Sequence, residues 1–115
     1  MYDRATHRLL DAIAACTSVE EFVAGKSYSD YAGSYAFRLQ IERLVQIIGE
    51  ALMQARIVDP SISEQIDDIH QIVGMRNRLV HAYDSIDDEL LWLTATSQVV
   101  VLRRQLELIL AARES

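Results

Sequence analysis

A run of apolar residues between positions 37 and 55 constrains the fold more than any other feature of this sequence. The residues recur at steps of three and four: Phe37, Ile41, Leu44, Ile48, Leu52 and Ala55. This spacing places them on one face of an α-helix, whereas a half-buried strand would alternate every second residue. We therefore predict a long helix from about Tyr31 to Ile57.

A second apolar stripe runs along the back of this helix, interleaved with Arg43 and Glu50. Its members are Leu39, Ile47, Met53 and Ile57. A helix with two apolar sides lies either at the centre of a bundle or in contact with another chain. We favour contact with another chain, which predicts a homodimer.

The remaining sequence predicts three further long helices and a short one. The long helices are expected at about Asp3 to Cys16, from Ser61 through residues 74–84 with a kink near Gly74, and at about Asp87 to Ala112. Ser18 and Glu21 form a capping-box pattern that predicts a short helix ending near Gly25. Residues 25–35 are the most loop-like segment of the sequence. The pair Asp59-Pro60 is expected to end the long helix that starts at about Tyr31.

Composition supports an all-α fold. The 115 residues include only four glycines and one proline, and seven per cent are aromatic, so turn signals and strand-favouring clusters are scarce. Short connections between long helices favour antiparallel neighbours. We predict a single helical domain over residues 1–115: an antiparallel up-and-down bundle of four long helices and a short one.

The net charge and the N-terminal segment limit the classes of function that this chain can have. The formal charge of −6 and the isoelectric point near 4.9 count against a broad basic surface that coats nucleic acid. A local basic site stays open, with four candidates: Arg76, Arg78, Arg103 and Arg104. The N-terminal segment does not resemble a signal peptide, no apolar run could span a bilayer, and the lone Cys16 is expected to be buried, so we predict a cytoplasmic protein.

The segment "GMRNRLVHAYD", residues 74–84, departs from plain amphipathic patterning. On an ideal helix Arg76 and Tyr83 fall in the middle of an apolar face. Asn77 and His81 fall together on the opposite side. The residues expected on the apolar face are Ile69, Ile72, Val73, Leu79 and Val80.

Two interpretations of these polar residues remain open. An arginine in an apolar stripe needs a partner, which is either a carboxylate, with Glu42 and Glu50 as candidates, or a phosphate. His81 is either an ordinary surface histidine or an acid–base group oriented by Asn77. A metal site is disfavoured, because His70 and His81 lie about three turns apart and no third ligand stands out. No cofactor is expected.

The pattern R-N-x-x-x-H-x-Y, formed by Arg76, Asn77, His81 and Tyr83, resembles the signature of HEPN ribonucleases, and its tyrosine resembles the HepT toxin branch. "IERLVQIIGEAL" at residues 41–52, "GMRNRLVHAYDSID", and "DDELLW" ending at Trp92 resemble further blocks of that branch at similar spacing. The sequence departs from many relatives at residues 68 and 69, where Asp and Ile stand in place of a Pro-Trp pair.

The resemblance implies a homodimeric helical bundle that acts as a metal-independent endoribonuclease toxin of a toxin–antitoxin system. Arg76 and His81 would be catalytic at a cleft shared between two copies, with Asn77 orienting His81 or the phosphate and Arg78 positioning RNA. The ribose 2′-OH would attack the adjacent phosphate. A minimal nucleotidyltransferase of the MntA type would neutralise the toxin, with Tyr83 as the target of AMPylation.

Two other classes of function stay open. The chain could be a non-catalytic HEPN dimer that binds nucleotide or RNA for a nucleotidyltransferase, which suits the acidic composition. It could also be a purely structural dimerising bundle in which Arg76 pairs with Glu50. A nuclease requires His81, whereas a scaffold requires only its apolar core.

Overall fold

A computed structural model describes residues 3–114. The helices are α1 (Arg4–Val23), α2 (Tyr28–Ala32), α3 (Tyr35–Val58), α4 (Ile62–Gln65), α5 (Ile69–His81), α6 (Asp88–Leu93) and α7 (Val99–Glu114). A 3-10 turn, Tyr83–Ser85, follows α5, and a π-helical segment, Thr94–Gln98, joins α6 to α7. No strand occurs within residues 3–114, so the prediction of an all-α fold is confirmed.

Polar contacts at one end of the bundle fix the helix directions. Arg113, near the end of α7, donates to Thr6 at 3.1 Å and pairs with Asp3 at 2.9 Å and with Asp59 at 2.8 Å. The start of α1 therefore lies beside the ends of α3 and α7. Both helices run antiparallel to α1, as the bundle prediction requires.

The core is built around the apolar stripe of α3. Ile41, Ile48, Leu52 and Ala55 are fully buried, whereas Phe37 and Leu44 are partly buried at the edge. The facing stripe of α1 has the same three- and four-residue spacing and comprises Leu9, Ala12, Cys16 and Val19. Burial raises the pKa of the Cys16 thiol to about 12, so the expected structural thiol is confirmed.

The predicted boundary at Ser18 is wrong, because α1 continues through it to Val23. Val19 is fully buried and extends the apolar stripe of α1, and that packing outweighs the local capping pattern. Gly25, with a φ of 73°, then ends the helical region in the left-handed conformation that glycine tolerates.

The segment expected to be a loop contains the short helix α2. Ser27 accepts a hydrogen bond from the backbone of Asp30, and the Asp30 side chain accepts one from the backbone of Ser27, forming a capping box. Tyr31 thus belongs to α2, and α3 starts four residues later than predicted, at Tyr35. The buried Tyr31 ring packs on Trp92 with a centroid distance of 5.1 Å, which gives the late tryptophan a structural role.

The helix expected to start at Ser61 is divided. Asp59-Pro60 does end α3, but α4 lasts only four residues, and the Ser61 side chain makes no cap bond to that helix. The second helix, α5, starts after Asp68, whose φ is 60°. Proline cannot adopt that angle, so this backbone is incompatible with a proline at position 68.

The last helical region begins at Asp88, within one residue of the prediction. Asp87 caps it by accepting a hydrogen bond from the backbone of Leu90 at 3.1 Å. The π-helical segment interrupts regular α-geometry in the middle, where Thr94 and Thr96 donate their hydroxyls to carbonyl oxygens four residues earlier. No helix within residues 3–114 is both long enough and apolar enough to cross a membrane.

The back stripe of α3 is unevenly exposed. Leu39 is 41% exposed and Ile57 is 66% exposed, whereas Ile47 and Met53 are partly buried against the core. The exposed members therefore sit at the two ends of α3. The homodimer that the stripe suggested stays a proposal.

Candidate active site

Arg76 lies on α5 and points at α3. Its Nε and Nη2 atoms donate to Oε2 of Glu50 at 2.7 and 2.6 Å, and its Nη1 donates to Oδ1 of Asn77 at 3.0 Å. The Arg76 side chain is 15% exposed and that of Glu50 is 43% exposed. Of the two candidate carboxylate partners of Arg76, Glu50 forms the ion pair in the structure.

Gly49 explains how α3 and α5 come close enough for this ion pair. A Cβ atom placed on Gly49 would overlap the Cβ of Arg76 and lie 3.1 Å from the carbonyl oxygen of Ile72. Any other residue at position 49 would push α5 away from α3 at the arginine itself. Gly49 is therefore a structural determinant of the site.

The hydrogen bond of Asn77 does not support one of the two roles expected for it, that of orienting His81. Its amide oxygen accepts from Arg76 and not from the ring of His81. His81 is exposed at the C-terminal end of α5 and makes no hydrogen bond through its ring within residues 3–114. The imidazole is thus open to solvent, and the guanidinium is held in place.

Arg76 and His81 do not face the same way. Five residues of α-helix correspond to a rotation of about 140°, so the guanidinium turns towards α3 and the imidazole turns away from it. The helix is uninterrupted at Gly74, where a kink had been expected. One copy of the chain therefore presents the two groups on different sides of α5.

Tyr83 lies outside the motif helix, which is α5 with Arg76, Asn77 and His81. The sequence had instead predicted one helix over residues 69–84. The helix ends at His81, and Tyr83 starts the 3-10 turn. Its hydroxyl nevertheless donates to Oε1 of Glu42 on α3 at 2.8 Å. Arg76 and Tyr83 thus both contact α3, through different carboxylates and from different backbone elements.

The Glu42–Tyr83 contact has an unusual electrostatic setting. Glu42 is only 7% exposed, and burial raises the pKa of its carboxyl, while the hydrogen bond from Tyr83 lowers it. The same hydrogen bond is the main cause that raises the pKa of the Tyr83 phenol. Tyr83 itself is 47% exposed, so its ring remains accessible at the surface.

The apolar face predicted for α5 is mostly confirmed. Ile69, Ile72, Val73, Met75 and Leu79 are buried. The exception is Val80, which is 39% exposed and lies one residue before the C-terminal end of α5.

The four arginines proposed for a local basic site have different environments. Arg103 is committed to ion pairs with Glu20 and Glu107. Arg78 and Arg104 are exposed and form no ion pair within residues 3–114. In the same residues no cluster of three or more His, Cys, Asp or Glu side chains could hold a metal ion.

Comparison with known proteins identifies the family. The sequence profile described as "HepT-like: Ribonuclease HepT-like" matches residues 12–109, which is most of the chain. The chain belongs to the HepT-like ribonuclease family. The expected enzyme class, a ribonuclease, is thereby confirmed at the level of the family.

Several curated proteins resemble this HepT-like chain over most of their length. A protein of Methanocaldococcus jannaschii named a putative RNase is 28% identical over 103 residues, covering 88% of this chain and 92% of its own. A second protein of that organism with the same type of name is 24% identical over 104 residues, covering 89% and 87%. One from Caldanaerobacter subterraneus subsp. tengcongensis is 26% identical over 101 residues, covering 83% and 84%. No solved structure matches significantly.

The sequence contained a signal for one residue whose part in the site was not predicted. Gly49 lies in the middle of a helical apolar stripe, where glycine is unfavourable for the helix and must be compensated by a close approach. That signal indicates tight packing but does not identify the partner. Identifying Arg76 required the register of α3 against α5.

Proposed function

We propose that this chain is a metal-independent endoribonuclease that cleaves single-stranded RNA, or exposed loops and ends of structured RNA. The observation that carries the proposal is the difference between two side chains of the motif helix. Arg76 is held by Glu50 and Asn77, while the His81 imidazole, five residues on, is open to solvent. A fixed cation and a solvent-accessible acid–base group suit phosphoryl transfer when both reach one phosphate, and the family is one of ribonucleases.

The proposed reaction needs no external water. The ribose 2′-oxygen attacks the adjacent phosphorus, a new P–O bond closes the 2′,3′-cyclic phosphate, and the bond to the 5′-oxygen breaks. His81 moves a proton, as the base for the 2′-OH or the acid for the 5′-oxygen. Arg76 stabilises the charge on the non-bridging phosphoryl oxygens, Asn77 orients the guanidinium, and Arg78 holds a neighbouring phosphate.

We propose further that the cleft is shared between two copies. Because Arg76 and His81 point about 140° apart on α5, one copy cannot easily direct both at one phosphate. A two-fold axis would bring the arginine of one protomer towards the histidine of its partner. The exposed apolar residues Leu39, Val80 and Ile57 support contact with a second copy.

Mixing two inactive variants tests the shared cleft. Arg76→Ala and His81→Ala are each expected to be inactive as homodimers. After exchange of subunits, a mixed dimer carries one intact composite site, so cleavage should return to roughly a quarter of the wild-type rate for an equal statistical mixture. Mixtures that stay inactive while forming mixed dimers would show that each copy carries its own site.

The proposed biological role is that of a toxin restrained by a nucleotidyltransferase antitoxin of the MntA type. The partner would transfer AMP to Tyr83. A nucleotide attached there adds negative charge and bulk beside the cleft, where it competes with the RNA phosphate for Arg76. Tyr83→Phe should escape modification and keep cleaving RNA in the presence of the partner and ATP.

The activity itself is tested with a purified chain and a single-stranded RNA oligonucleotide in EDTA. We expect fragments that end in a 2′,3′-cyclic phosphate and a 5′-hydroxyl, at the same rate with and without the chelator. Activity that disappears in EDTA and returns with one divalent ion would overturn the proposed chemistry.

A second candidate function is a non-catalytic module, and the Arg76–Glu50 ion pair is the observation that favours it. The guanidinium already has a carboxylate partner, as it would in a purely structural bundle, and the chain carries a net charge of −6. Expression in cells distinguishes the two. A toxin arrests growth in a manner that His81→Ala relieves, whereas a module or scaffold does not.

A further inference from the structure

Glu42 occupies an environment that its packing alone does not explain. It is a nearly buried carboxylate on α3, and no arginine or lysine within residues 3–114 forms an ion pair with it. Burying an ionised carboxylate without a cation is unfavourable, and an apolar residue would fill the same space at lower cost. Its hydrogen-bond partner is the hydroxyl of Tyr83, at 2.8 Å from Oε1.

The groups around Glu42 come from several elements. Arg38, one turn earlier on α3, favours the ionised carboxylate, whereas Asp88 at the start of α6 opposes it. Tyr31 of α2 is fully buried, and its hydroxyl has no hydrogen-bond partner within residues 3–114. Burial raises the pKa of the Tyr31 phenol, and the carboxylate of Glu42 raises it further. These groups form a polar cluster beneath the surface turn that carries Tyr83.

We propose that Glu42 is the proton acceptor when a nucleotide is transferred to Tyr83. The inference rests on Tyr83 being the modified residue, as argued under the proposed function. It assigns a chemical role to a residue outside the arginine–histidine motif. The contact distance falls within the range that a general base requires.

The transfer balances with Glu42 as the base. The Tyr83 oxygen attacks the α-phosphorus of ATP held by the partner enzyme, and a new P–O bond forms. The bond between that phosphorus and the bridging oxygen breaks, and pyrophosphate leaves. The phenolic proton passes along the existing hydrogen bond to Oε1 of Glu42 and later reaches solvent.

The phenol needs this assistance. The pKa of Tyr83 is raised, so the phenolate that would attack unaided is scarcer than for a free tyrosine. The carboxylate whose hydrogen bond raises that pKa is also the group placed to remove the proton as the bond to phosphorus forms. Burial raises the pKa of Glu42, which makes its carboxylate a stronger base than an exposed one.

The test measures AMP incorporation at Tyr83 by peptide mass spectrometry. The chain is incubated with an MntA-type nucleotidyltransferase, ATP and Mg²⁺ over a series of pH values. Glu42→Gln keeps an oxygen that accepts the Tyr83 hydrogen bond but cannot take the proton. We expect its rate of incorporation to fall by about 10²-fold or more, and the rise in rate with pH that reports ionisation of Glu42 to disappear.

Two further variants keep the result interpretable. Glu42→Asp draws the carboxylate back by one methylene group and should give an intermediate rate that retains the pH-dependent rise. Tyr83→Phe is the zero point for incorporation at this site. RNA cleavage by Glu42→Gln, measured without the partner, should match the wild type, which shows that the variant is folded.

The possible failures are distinguishable. If the wild type incorporates AMP at Tyr83 and Glu42→Gln does so at the same rate with the same pH profile, Glu42 is not the base, although the proposed target stands. If the wild type carries no AMP at Tyr83, the proposed target and the role of Glu42 are both wrong.

Discussion

Substitution of Gly49 by alanine tests the geometry that positions Arg76. The new methyl group would overlap the Cβ of Arg76, which is attached directly to the backbone of α5 and cannot swing aside. The carbonyl oxygen of Ile72, at 3.1 Å, blocks the other direction. Relief therefore requires α5 to move away from α3, which also disturbs the pair between Arg76 and Glu50.

Two opposing effects decide how much Gly49→Ala changes the free energy of unfolding. Alanine in a helix interior is more favourable than glycine by about 1 kcal/mol. Inserting a methylene-sized group into a packed helix interface costs about 1–3 kcal/mol. The cost at Gly49 lies towards the upper end of this range, because the clashing atoms of both α3 and α5 belong to the backbone or are attached directly to it. We expect a net loss of about 1–2 kcal/mol in the free energy of unfolding.

Gly74→Ala is the matched control. Gly74 is also within a helix, but a Cβ placed there meets no atom within 4 Å. The helix-propensity effect then acts alone, so the control should be more stable than the wild type by up to about 1 kcal/mol. Denaturant unfolding followed by circular dichroism, at one protein concentration, measures both. A Gly49→Ala variant as stable as Gly74→Ala would refute the close approach of α3 to α5.

Three further outcomes are expected. Tyr83→Phe should lower the free energy of unfolding by about 1 kcal/mol at neutral pH, because buried Glu42 loses a hydrogen bond, and by less in acid, where Glu42 is protonated; denaturant titration at several pH values measures this. Arg113→Met should destabilise the protein at neutral pH, with the deficit in Tm narrowing as pH falls, because protonation of Asp3 and Asp59 removes their ion pairs with Arg113; hydrogen bonds from Thr6 and Ser61 are the main causes that lower the pKa values of these two carboxyls, and Arg113 lowers them further. Glu50→Gln should lower kcat for RNA cleavage by roughly tenfold and also lower KM, because Arg76 loses both its orienting partner and a competing anion; steady-state kinetics separate the two.

The long helix α3 could be predicted from the sequence, because its apolar period continues over five turns and Asp59-Pro60 stops it. The error at Ser18 has a definite cause. A capping box is a local pattern, and the buried Val19 shows that tertiary packing decided the outcome. The division of the helix expected after Ser61 depended on the left-handed conformation of Asp68, which no local pattern reveals.

The candidate site was predictable only as a set of residues. The sequence left a phosphate or one of two carboxylates as the partner of Arg76, and choosing Glu50 required the antiparallel register of α5 on α3. Because α5 ends at His81, Tyr83 does not lie on the helix face where the sequence predicted it. It nevertheless contacts α3 from the 3-10 turn that follows. The relation between two copies depends on intermolecular geometry, which the pattern of a single chain does not contain.

The most direct test of the central claim is RNA cleavage by His81→Ala, with His70→Ala as its control. Both histidines are exposed on α5, so neither substitution should change the helical content or the free energy of unfolding. We predict that His81→Ala loses about 10²-fold or more of the cleavage rate and that His70→Ala cleaves as the wild type does. Cleavage by His81→Ala at the wild-type rate, or an equal loss in His70→Ala, would contradict the assignment of His81 as the group that moves the proton.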